Sequence, residues 1–118
     1  MAAGAALMKT EFIDPGAFRV ELALEEAVPV PDGAGGHGED WQEVATVFAR
    51  LEPVATQDRF GADQRLERIT NRVTLRARPG LSAGMRFRRN GRRFQIVTVH
   101  DPDETGRYLV CRAREDRP

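Results

Sequence analysis

The most concentrated chemistry in the chain is a run of guanidinium groups, with Arg86, Arg88, Arg89, Arg92 and Arg93 straddling the dipeptide Asn90-Gly91. Like charges held that close repel one another unless an anion is near. The cluster is therefore either a solvated basic hairpin or a contact for phosphate or for an acidic neighbouring subunit. No aromatic platform for stacking bases accompanies it, which argues against recognition of nucleic-acid sequence.

Other reactive residue types are sparse. His37 and His100 have no second histidine, cysteine pair or spaced carboxylates to complete a metal site, and they fit exposed or turn positions. The stretch Gly33 to Gly38 lacks the Gly-Lys-Ser/Thr ending of a phosphate loop and the strand and helix of a dinucleotide fingerprint. Ser82, the only serine, sits in a Leu-Ser-Ala-Gly turn without the strand-to-helix elbow that exposes a nucleophile. Asp101, Asp103 and Glu104 lack the ligand spacing of a calcium loop and fit a solvated turn. Cys111 has no cysteine partner and fits a small buried position in a reducing compartment. These residues predict no catalytic site, no metal and no cofactor.

The elements that must carry the arginines are short strands. Residues 1–17 are dominated by Ala and Gly and end in Asp14-Pro15-Gly16, which predicts a flexible arm ahead of a single domain over 18–118. Phe18, Val20, Leu22 and Leu24 alternate with polar residues as a half-buried strand does. Pro29 to Asp40 carries two prolines and four glycines, so a mobile hairpin loop is expected there. A second strand runs from Trp41 to Leu51, with Val44, Thr46, Phe48 and Arg50 on one side and Ala45, Val47, Ala49 and Leu51 on the other. Gln57 to Arg68 has no strict alternation, and its helix-forming residues predict a short helix in a long loop. A third strand over Val73–Ala77 closes on Pro79-Gly80. Met85 and Phe87 lead into Asn90-Gly91, whose residues suit the positive φ angles of a tight turn, and Phe94, Ile96 and Thr98 lead out. A last strand follows the Asp101 to Gly106 turn and begins at Tyr108. The fold class predicted is mainly β, a six-stranded barrel or sandwich, with Trp41, Phe48, Phe94 and Ile96 as its core anchors.

The net charge is zero, but it is divided along the chain. Residues 1–55 hold three basic residues and ten acids, while residues 56–118 hold fifteen arginines and eight acids, a split of −7 and +7. Two outcomes remain open: the halves interleave as internal ion pairs, or they leave a polarised surface that attracts a neighbouring copy or a phosphate backbone. All but one of the eighteen basic residues are arginine, the type suited to bidentate interface contacts.

The order of these features resembles the phage head-tail joining family, also described as head closure, adaptor or stopper proteins. The resemblance rests on Trp41-Gln-Glu-Val-Ala-Thr-Val-Phe-Ala-Arg-Leu-Glu-Pro-Val54, on Thr70 to Gly80, on Met85-Arg-Phe, on Asn90-Gly-Arg-Arg-Phe-Gln-Ile96 and on Val99 to Glu104. It implies a small β-barrel that assembles as a ring, sixfold or alternatively twelvefold, in the neck of a phage, prophage or gene transfer agent particle. Such a ring closes the DNA channel and docks the tail. The implied partners are a portal or adaptor above, a tail terminator or tail tube protein below, and packaged double-stranded DNA held without sequence preference. Assembly in the bacterial cytoplasm is implied, with no membrane partner. Pro53 to Ile69 would line the channel, with Arg59, Arg65 and Arg68 facing DNA. The competing function is a nucleic-acid-binding β-barrel module.

Overall fold

The computed structural model describes residues 13–31, 37–54, 59–60 and 67–116. Its strands are β1 (Val20–Pro31), β2 (His37–Pro53), β3 (Arg59–Phe60), β4 (Glu67–Arg68), β5 (Asn71–Arg76), β6 (Arg86–Arg89), β7 (Arg92–His100) and β8 (Tyr108–Asp116). Before them, Pro15–Ala17 forms one 3-10 turn, capped by the Asp14 side chain, which accepts from the Gly16 amide at 2.9 Å.

Six of the strands close a barrel in the order β1-β2-β5-β8-β7-β6, all neighbours antiparallel. The chain lays down β1, β2 and β5 side by side, then crosses to the far edge, where β6 pairs with β1. The β6–β7 hairpin and β8 fill the gap back to β5. Closure removes the unpaired sheet edges that would otherwise invite association, except where strands outrun their partners. β1 and β2 do outrun them: residues 26–31 and 37–42 pair only with each other among the described residues, and they form a two-stranded ribbon beyond the barrel.

The interior is filled from alternate positions of every strand. Leu22, Leu24, Val73, Leu75, Phe87, Phe94, Ile96 and Cys111 are each at most 1% exposed. On β2 the inward side is Ala45, Val47, Ala49 and Leu51, which leaves room for the two phenylalanines. In so narrow a barrel, small and large side chains must complement one another across the axis. Burial pushes the Cys111 thiol up to about 12, so it stays protonated and unreactive.

Four expectations are corrected here. Phe48 lies on the outer side of β2 and is 56% exposed, because the small residues of that strand face in. Trp41 is half-buried on the ribbon and outside the core, with the Arg86 guanidinium 4.0 Å from its ring centroid. The helix expected over Gln57–Arg68 gives way at its described ends to β3 and β4, which pair through Arg59–Arg68 and Phe60–Glu67, while residues 61–66 lie outside the described residues. The loop expected over Pro29–Asp40 is largely strand, since pairing continues to Pro31–His37; residues 32–36 lie outside the described residues. At the basic hairpin, Asn90 alone of the turn pair takes the positive φ, at 57°.

This division predicts opposite outcomes for two phenylalanines. Phe94→Ala should cost about 3–5 kcal/mol in chemical denaturation, whereas Phe48→Ala should cost under about 1 kcal/mol.

Candidate assembly surface

The barrel is closed on one side by only three residue pairs, Ala23–Arg88, Leu24–Phe87 and Glu25–Arg86. A bulge in the β1–β2 ladder sits at this seam. Val44 is left unpaired and turned outward, 43% exposed, so that Glu43 rather than Val44 stands opposite Glu25. Glu25 is 5% exposed, and its two oxygens accept from Arg86 Nε and Arg88 Nε, each at 2.7 Å. Arg88 also reaches Glu43 at 3.5 Å. Burial alone would raise the Glu25 carboxyl, but the hydrogen bonds from Arg88 and Arg86 outweigh it and hold the group below its usual range.

The five-arginine hairpin is thus divided by its neighbours. Arg86 and Arg88 are taken up by Glu25. Arg92, above the Phe94 ring at 4.9 Å, makes a bidentate pair with Glu115 at 2.8 and 3.1 Å. Arg89 stays exposed without an ion pair among the described residues, and the buried Arg93 Nε has no hydrogen-bond partner there. Of the acidic half, Glu25, Glu43 and Glu52 pair with arginines of the basic half. Glu21, Glu26 and Glu39 make no ion pair among the described residues. The charges therefore interleave at the seam and stay separated on the ribbon.

Of the channel candidates, Arg59 and Arg68 stand opposite each other in the β3–β4 ladder and Arg68 is exposed, while Arg65 lies outside the described residues. Phe94 and Ile96 are core residues, at 0% and 1% exposure. The acidic turn is bonded largely within itself: Asp101 Oδ2 accepts from the Gly106 amide at 2.7 Å, and Asp103 accepts from the Thr105 hydroxyl at 2.7 Å and pairs with Arg107 at 3.2 Å, while the buried Asp101 Oδ1 has no hydrogen-bond partner among the described residues. Among the described residues no group of three His, Cys, Asp or Glu could hold a metal.

Sequence reasoning missed two features. One is Glu25 as the hub of the seam; the three-residue step from Trp41 to Val44 before strict alternation was the available sign of a bulge. The other is an open cleft of about 400 Å³, lined by Pro15, Phe18, Val47 and Phe48 on one side and by Leu75 to Arg78 on the other. It exists because β2 pairs with β5 only as far as Ala49–Leu75. Beyond that pair β5 turns away, and the Ala77 amide donates to the Arg107 carbonyl at 2.9 Å.

The described surface is thus a closed barrel clamped at its seam by ion pairs, with an open, partly apolar cleft and an acidic ribbon outside. The model of the phage head completion protein family matches residues 13–116, and the chain belongs to that family. No curated protein matches. Among solved structures, a chain from the virion of a native gene transfer agent particle is 36% identical, with a TM-score of 0.62 over 83% of this chain and 94% of that one. Family membership makes this a structural protein of the phage-head type.

The seam gives a pH-dependent prediction. A lowered folded pKa means that Glu25 contributes stability above the ordinary carboxylate value of 4.5, and loses it as pH falls through the folded value. Glu25→Gln should cost about 2–3 kcal/mol at pH 7, less than a fully buried pair because Arg88 is partly solvated. The gap to wild type should be full above pH 4.5 and narrow progressively as pH falls below it towards the lowered folded value, measured by urea unfolding across pH.

Proposed function

We propose that this protein is a head-closure connector, one subunit of a ring in the neck of a phage or phage-like particle. The ring sits between the portal or adaptor and the tail, retains packaged DNA and offers the tail its docking face. One observation carries the reading: the family match runs over the whole barrel, from 13 to 116. The likeness to a chain of a gene transfer agent virion supports a particle of that kind as its setting.

The geometry suits this role. A ring of identical subunits needs two different surfaces on each copy, one to give and one to receive. The acidic ribbon and the arginine-rimmed cleft are two such surfaces. A nucleic-acid-binding module is the weaker reading, because three of the five hairpin arginines are held by Glu25 and Glu115.

Disrupting the gene in its producing strain should leave DNA-filled heads unjoined to tails, or heads that lose their DNA, in electron micrographs. Complete tailed particles made without the protein would refute the connector. Filter binding by the purified chain tests the other reading, where nanomolar duplex affinity at 150 mM salt would favour it.

A further inference from the structure

Among the described residues, the ribbon beyond the barrel pairs only within itself and leaves one face without a further strand against it. By strand alternation and the observed pairing, Glu26, Val28, Val30, Asp40 and Gln42 share one side. Val30 is 37% exposed. An isolated two-stranded ribbon is marginal in water, and its open edges are an invitation to a partner. The β1 edge is blunted by Pro29 and Pro31, which limits simple edge-to-edge pairing and leaves the mixed apolar and acidic face as the contact surface.

The cleft on the barrel is the complement of that face. Its floor and walls include Phe18 and the exposed Phe48, the first held by an edge-on contact with Tyr108 at 5.8 Å. At its rim stand Arg76 and Arg78. Neither makes an ion pair among the described residues, and the Arg78 Nε is buried with no hydrogen-bond partner. A buried guanidinium nitrogen without a partner is costly, and an incoming carboxylate would satisfy it.

We infer that the ribbon of one copy seats in the Phe18–Phe48 cleft of the next, with Val28 and Val30 against the aromatic rings and with Glu26 and Asp40 paired to Arg76 and Arg78. This rests on the ring reading and names its interface. Contact within one chain is excluded by distance. Val30 pairs with Gly38, and the cleft begins at Thr46, eight positions along the same strand, which is roughly 25 Å. Because giver and receiver differ and every copy carries both, the contact repeats head to tail and can close a ring.

Cysteine cross-linking in purified particles tests the contact. Val30→Cys and Ala77→Cys are placed in the same full-length chain. The native Cys111 stays out of the reaction, since it is fully buried and its thiol is held near 12. After mild oxidation, a denaturing gel without reductant should show a ladder of the chain up to the ring, and each single variant should show no ladder beyond dimer. Arg76→Glu with Arg78→Glu should abolish at least nine-tenths of the ladder, and adding Glu26→Arg with Asp40→Arg should restore it. None of the four has an ion pair among the described residues, so melting temperatures should stay near wild type. Wild-type protein absent from particles would overturn the connector reading and with it this interface. Double-cysteine protein present in particles without a ladder, or a ladder indifferent to charge reversal, would overturn the interface alone.

Discussion

The fold turns on one buried carboxylate. Three residue pairs are all that join β1 to β6, and without that join the sheet is an open strip rather than a barrel. Glu25 sits at the end of those pairs and binds the guanidinium groups of two alternate residues of β6, so the short ladder is clamped by side chains as well as backbone. Burying a charge is unfavourable unless its partners are fixed. Here β6 itself fixes them, as Arg86 packs over Trp41 and the strand is anchored on its other edge by four pairs to β7. The β2 bulge serves the same junction by bringing Glu43 to the side where Arg88 lies.

That clamp also determines what the surface has left to offer. A basic hairpin that looks in sequence like a phosphate-binding tip has most of its charge committed to Glu25 and Glu115. Beside Arg89 on the hairpin, the charges without an ion pair among the described residues include acids on the ribbon and the arginines at the cleft rim. The interior imposes a second constraint. Phe87 and Phe94 take so much of the barrel that β2 must face it with Ala45, Val47 and Ala49, and the one aromatic of that stretch, Phe48, is displaced to the outside.

Much of this was legible in the residues. Alternation located the barrel strands, Asn90-Gly91 located the hairpin, and the order of segments pointed to the family that the match over residues 13–116 identifies. These signals are local, because strand periodicity and turn chemistry act between residues close in the chain. Alternation also sorted β2 into two sides, but it could not say which side was inner. That depends on how much volume the other five strands send to the axis, so Phe48 was misassigned and Trp41 was placed too deep. The paired ends of the stretch from Arg59 to Arg68 were missed for a related reason, since its helix-forming residues carry no record of the two-pair ladder that joins them. The Glu25 clamp joins residues 61 and 63 positions apart. Only closure of the barrel brings them together, so the sequence by itself determined the strands and their family, and the tertiary structure decided which charges are spent inside and which remain for a partner.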